Sequence, residues 1–232
     1  MPLRDDLQKE VAKILRENWE TRDGEVVPEP EDLKLGNDAV NLDATVLYAD
    51  MSGSTDLVDN HKPHFAAEIY KCYMACASRI IKDEGGAITA YDGDRVMAVF
   101  IGGSKNTTAA RCALKINWAV SKIVNPAIKA QYGDDAYEAG HVIGIDTSKL
   151  FVCRIGVRND NDLVWVGRAA NYAAKLTTLN TGYPVYITGD VFDRLRDDSK
   201  YGGDPQRLMW QERQWTDMNN MRIYRSSWWW SL

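Results

Sequence analysis

The chain has 232 residues, with 28 Lys and Arg against 33 Asp and Glu and a formal net charge of −5. Apolar residues make up 45 % and charged residues 26 %, a balance that excludes disorder over the whole length and fits one large domain or two small ones. The mild acidity gives no electrostatic footprint for a nucleic-acid polymer, whose binding needs clustered Lys and Arg.

In chain order, Leu3, Leu7, Val11, Ile14, Leu15 and Trp19 recur at helical spacing, so residues 3–20 are expected to form an amphipathic helix whose stripe packs against something. This start is too charged for a secretory signal, and no apolar run approaches a membrane span, which points to a cytoplasmic setting. Residues 21–43, rich in Pro, Glu, Asp and Gly, read as an irregular connector. The main domain is expected from Asp43, opening with a buried strand over 44–51. After the Ser52-Gly53-Ser54-Thr55 loop, Phe65, Ile69, Cys72, Tyr73, Cys76 and Ile80 mark one face of a helix that ends at Gly85-Gly86. Residues 87–100 read as a hairpin around Asp92-Gly93, and a second helix runs over 107–124, stopped by Asn125-Pro126.

Two strands, HVIGID and LFVCRIGV, are expected to flank a turn at Thr147-Ser148-Lys149, followed by a short strand over 162–167. A helix over 169–179, a strand PVYITG, a short helix DVFDRLR and a final hairpin complete the order, with Trp228-Trp229-Trp230 close to the end. The pattern predicts an α+β fold with antiparallel hairpins and helices on one side of the sheet. The four cysteines (Cys72, Cys76, Cys112, Cys153) are too scattered for a disulfide framework, and the turn-spaced pair Cys72 and Cys76 reads as buried free thiols. The chain divides into an N-terminal helix and connector (1–42), a catalytic domain (43–198) and a C-terminal hairpin with its Trp-rich tail (199–232).

Two carboxylates stand out by position: Asp50 at the end of the first buried strand, and Asp94 just after the hairpin turn. If that strand pairs beside the hairpin they converge, and two such carboxylates share a proton or hold divalent metal. Metal is favoured by the residues after Asp50, namely Met51 and then the small Ser52, Gly53, Ser54 and Thr55, whose backbone N–H groups can approach an anion. A nucleoside triphosphate needs that combination. Asp50 as a cap and Asp94 as an ordinary turn residue is the competing reading, and spacing alone leaves both open.

The segments VLYADMSGST, YDGDRVMAVF and GRAANYAAKL resemble, in order, the three signatures of the class III nucleotidyl cyclases, a likeness covering 44–195. The resemblance implies a ferredoxin-like βαββαβ domain, with an antiparallel-rich sheet and helices packed on it. It also implies a head-to-tail homodimer with two composite active sites. Each site would take two Mg²⁺ or Mn²⁺ ions, held by Asp50, Asp94 and the Met51 carbonyl. Asn171 would reach into the partner's site to orient the ribose. Lys175 stands where the family has an arginine, keeping the charge but losing the planar fork. The family's purine-reading positions hold Ala90 and the stretch 163–167, which lacks a polar reader; Tyr91 or Trp165 would narrow the pocket for a smaller base.

Within that class the chain is most similar to the pyrimidine cyclases of bacterial Pycsar antiphage systems, and among those to the uridylate cyclases. This likeness implies UTP as substrate, with CTP the alternative, and a cyclic nucleotide product that acts on a separate effector. It implies no nucleic-acid polymer and no membrane as partner.

Overall fold

The strand that ends in Asp50 is the spine of the molecule. The computed structural model describes residues 2–179 and 181–232. Its elements are α1 (Pro2–Arg16), β1 (Glu20–Asp23), β2 (Asp38–Ser52), α2 (Ser54–Asn60), α3 (Pro63–Asp83), β3 (Ala87–Asp92), β4 (Arg95–Phe100), α4 (Lys105–Ala119) and α5 (Asn125–Tyr132). They continue with β5 (Gly140–Val157), β6 (Asp160–Val166), α6 (Arg168–Leu176), β7 (Val185–Thr188), α7 (Gly189–Asp193) and α8 (Asp197–Lys200). The short strands β8 (Tyr201–Gly202) and β9 (Arg207–Leu208) precede β10 (Gln211–Trp215) and β11 (Met221–Ser226).

The main sheet runs β10-β11-β7-β5-β2-β4-β3, with β1 beside β2 and β6 beside β5. Only the β1–β2 and β5–β7 pairs in it are parallel. Alternation along β2 builds two cores at once. Leu47, Ala49 and Met51 pack under α3 and α4. Leu42, Ala44 and Val46 face Ala169, Ala170 and Ala173 of α6. Helices therefore cover both faces rather than the one side expected, and β2, apolar at both parities, has the composition of a strand buried on both faces.

Three elements are longer than the sequence suggested, each for a local reason. β2 starts at Asp38, because the connector doubles back and β1 pairs with residues 38–41. There Arg22 Nη1 donates to Asp38 at 2.6 Å. β5 runs without a break through Thr147-Ser148-Lys149, paired with β2 from Gly140 to Cys153. The polar residues that suggested a turn are satisfied across strands: Thr147 Oγ1 donates to the Ala44 carbonyl at 3.1 Å. The helix expected to stop at Asn125-Pro126 passes through one π-helical turn (Val120–Val124) into α5. Pro126 comes just after that turn, where the helical hydrogen-bond ladder is already irregular.

Other expectations change more. α1 has no buried residue, so its apolar stripe does not pack on its own chain. Trp19 alone of that series finds an aromatic partner, its ring centroid 4.9 Å from that of Phe151. Cys112 and Cys153 are buried, but Cys72 is exposed and Cys76 half-buried, because the buried stripe of α3 runs through Ile69, Tyr73 and Ala77 instead. The tail is docked: Asn117 Nδ2 donates to the Trp228 carbonyl at 2.8 Å, and Trp230 N–H to that of Leu114 at 3.1 Å.

Candidate active site

Asp50 lies opposite Arg95 of β4 and Val142 of β5, half-buried at the end of β2. β3 and β4 are joined by Gly93 and Asp94, and Gly93 takes φ +62, a conformation that an L side chain resists. Met51 N–H donates to the Asp94 carbonyl at 3.3 Å, which staples the turn beside the strand end. Burial pushes the Asp50 carboxyl above the usual aspartate range, and the charge of Asp94 pushes it further. The Thr177 hydroxyl, 3.2 Å from Asp50 Oδ2, works in the opposite direction.

This donor set suits a hard divalent cation. Among the described residues no group of three or more His, Cys, Asp and Glu could hold a metal. Asp50, Asp94 and backbone oxygen could hold an ion of the kind that keeps water and binds substrate phosphate. Burial raises Asp50 most and the charge of Asp94 adds to it, and a cation between the carboxylates would relieve that second contribution.

The loop after Met51 lies against two tyrosines. Tyr137 Oη donates to the Ser52 carbonyl at 3.4 Å, and Tyr70 Oη to that of Ser54 at 3.5 Å. Gly53 precedes α2, Ser52 and Ser54 are half-buried, and Gly53 and Thr55 are exposed. Beneath the strand end, His141 pairs in register with Met51, and its ring faces Tyr73 with centroids 6.1 Å apart. Both Tyr73 Oη and His141 Nε2 are buried without a hydrogen-bond partner, and burial takes the imidazole from 6.5 down to about 4.

α6 buries Ala169, Ala170, Ala173 and Leu176, which leaves Asn171 and Lys175, one turn apart, on its outer side. The contact between this helix end and Asp50 is made by Thr177, which follows the helix, and not by Asn171 or Lys175. Lys175 Nζ lies 4.0 Å from Met218 Sδ. Ala90 and Trp165 belong to the same apolar cluster, with Trp165 only 9 % exposed. Tyr91 stands apart from both: it pairs with Val96, on the α3 side of the sheet, and its hydroxyl donates to Ser78 Oγ at 3.0 Å.

Sequence reasoning missed three neighbours of Asp50. Tyr48 is two residues earlier on the same face, so strand parity alone would have found it. The Arg95 guanidinium sits 5.7 Å from the Tyr48 ring centroid and also pairs with Asp92 at 2.6 Å; its place opposite Asp50 comes from the β2–β4 pairing, which joins residues far apart in sequence. Thr177 carried no signal, because its contact spans 127 residues of sequence.

No protein-family model matches the chain. A uridylate cyclase of Burkholderia cepacia is 55 % identical over 234 residues, covering 100 % of both chains. One of Xanthomonas perforans is 52 % identical over 233 residues, again covering 100 % of each. The chain belongs to the uridylate cyclase family. As a uridylate cyclase family member it is an enzyme, a nucleotide cyclase, consistent with the three signature segments all lying on elements around Asp50. The fold of this uridylate cyclase relative agrees with that of an adenylyl cyclase, CyaB from P. aeruginosa, at a TM-score of 0.69 and 20 % identity, over 81 % of this chain and 95 % of that one. The guanylyl cyclase Cya2 gives 0.67 at 18 % identity, over 80 % and 91 %. The α+β fold is that of the class III cyclase domain.

Proposed function

We propose that two copies of this chain form a uridylate cyclase that converts UTP to 3′,5′-cyclic UMP and diphosphate. The observation that carries the reading is an opposition within one chain: Asp50 and Asp94 gather at a strand end, while Asn171 and Lys175 face outward from α6. A head-to-tail pair brings the outward residues of one copy over the carboxylates of the other. The names of the relatives support UTP as the substrate.

Asp50, Asp94 and the Met51 carbonyl would hold two Mg²⁺ or Mn²⁺ ions per site. When bound, such ions supply Lewis-acid charge that acidifies the ribose 3′-hydroxyl and screens the triphosphate. The backbone of Ser52, Gly53, Ser54 and Thr55 holds phosphate oxygens through its N–H groups. The partner's α6 presents Asn171 to the ribose and Lys175 to the charge that develops on the α-phosphate. The O3′–Pα bond forms, the bond from Pα to the β-phosphate oxygen breaks, and diphosphate leaves. Ala90 and Trp165 bound the base through shape, since neither offers the polar contacts that purine readers use; Tyr91, on the other face, would narrow this pocket only after a rearrangement.

The product would serve as a second messenger that acts on a separate effector in antiphage defence, made in the cytoplasm. Among the described residues no helix is long and apolar enough to cross a membrane. The test is incubation with each of the four NTPs and Mn²⁺, with products resolved by mass. Cyclic UMP as main product supports the reading, cyclic CMP moves the specificity to cytidine, and a cyclic purine nucleotide or no cyclic product overturns it.

A further inference from the structure

The start of α6 is held by an unusually dense polar contact. Asp146 of β5 is completely buried. It accepts from Arg168 Nε at 3.0 Å and Nη2 at 3.3 Å, and from Thr188 Oγ1, at the end of β7, at 2.5 Å. Arg168 Nη2 also donates to the Thr147 carbonyl at 2.9 Å and to Asp190 of α7. The next residue, Ala169, donates its N–H to Ser148 Oγ at 3.0 Å. Gly167 lets the corner pass this close to β5, since a Cβ there would lie 2.8 Å from the Lys149 carbonyl. Three elements thus converge on the first turn of one nine-residue helix.

Stability alone does not account for this. Asp146 is buried but the Arg168 side chain is 37 % exposed, and a pair that takes a charge out of water gains little over apolar packing, whereas its fork geometry fixes where its two supports sit. What the fork fixes here is the rotation and height of α6, and the outer side of that helix carries Asn171 and Lys175. Among the described residues neither side chain makes a hydrogen bond except the long 4.0 Å approach of Lys175 Nζ to Met218 Sδ. Their placement is inherited from the helix.

We propose that the Asp146–Arg168 latch positions Asn171 and Lys175 for the active site completed by the partner subunit, so that its loss damages the neighbouring site far more than the site on its own chain, which α6 touches through Thr177. The proposal rests on the reading of the active sites as composite. Arg168 and Asp146 are positioning residues and need not touch substrate.

The test is subunit complementation with Arg168→Gln. Because that variant strands a buried Asp146 charge and risks misfolding, the double variant Asp146→Asn/Arg168→Gln, which replaces the ion pair by two amides, is run beside it. Each alone should lose on the order of 10- to 100-fold in kcat, the scale of misplacing a catalytic group by about an ångström. Arg168→Lys, which keeps charge without the fork, should recover part of the loss. A control mixture of Asp50→Ala with Asn171→Ala subunits must regain activity; its failure overturns the composite-site reading, and this proposal with it. Mixed with Asp50→Ala subunits, the latch variants should regain activity, since one site then pairs an intact Asp50 with an intact α6. Mixed with Asn171→Ala subunits they should regain none, since every α6 is then defective. Full activity of both latch variants, rescue by Asn171→Ala subunits, or no rescue by Asp50→Ala subunits while the control mixture succeeds would overturn the proposal.

Discussion

The two faces of β2 show how one strand serves two ends. Toward α3 and α4 it presents Leu47, Ala49 and Met51, all in a closed apolar core. Toward α6 it begins the same way, with Ala44 and Val46, but ends in the half-buried Tyr48 and Asp50. The difference lies in what covers each face. α3 and α4 cover the strand up to its end on one side, while α6 reaches the strand end on the other only through Thr177. Rigidity comes from the closed face, and the chemistry proposed for Asp50 lies on the open one.

That contrast predicts that changes on the open face cost activity and changes on the closed face cost stability. The largest effect is expected for Asp50→Asn, which should lower kcat by at least about a thousandfold in steady-state assays. The same change should raise the melting temperature of the metal-free protein at neutral pH. The folded carboxyl titrates above its unfolded value, so the penalty of its buried charge is absent at low pH and grows as pH rises through that shifted range. Scans at several pH values should therefore show the gap between variant and wild type closing on acidification. A variant less stable than wild type at neutral pH would break the comparison.

On the closed face, Leu47 is 0 % exposed, and Leu47→Ala should cost about 2–5 kcal/mol in denaturant unfolding. Activity per folded molecule should stay close to wild type.

His141 lies on the closed face with its imidazole depressed to about 4. Its folded pKa is below the unfolded 6.5, so its neutral form is stabilising at higher pH and that contribution is lost as pH falls from 6.5 toward 4. The full loss amounts to roughly 3 kcal/mol. In His141→Phe the stability profile should be flatter across that window. An unchanged slope would remove His141 as its source.

The smallest effect is expected where α6 meets the open face. The Thr177 hydroxyl has one proton and two acceptors, Asp50 Oδ2 at 3.2 Å and the Ala174 carbonyl at 2.8 Å. Thr177→Val removes one modest hydrogen bond and should lower kcat about fivefold. It should also weaken Mn²⁺ binding, followed by electron paramagnetic resonance, most of all at acidic pH where Asp50 is easiest to protonate.

The places of the candidate residues in the fold were legible in the sequence, because their signals are local. Asp50 ends an apolar run, Asp94 follows a glycine turn, and Asn171 and Lys175 share a helical spacing. Errors arose wherever a distant partner reverses a local signal. Thr147 and Ser148 look like a turn until Thr147 donates to the Ala44 carbonyl of β2 and Ser148 Oγ accepts from the Ala169 N–H of α6. Asn125-Pro126 looks like a stop until Asn125 exchanges hydrogen bonds with Ala139, at 3.1 and 2.9 Å, and carries the chain into α5.

The sequence by itself determined the buried strand over 44–51, the glycine turn before Asp94 and the identity of the acidic and basic groups, since all of these depend on residues a few positions apart. Tertiary structure alone decided that α6 lies over the open face with Asn171 and Lys175 outward, latched by Asp146 and touching Asp50 through Thr177. Those contacts join residues 22 and 127 positions apart. The geometry of closing such loops is set by the whole sheet, and no local pattern encodes it.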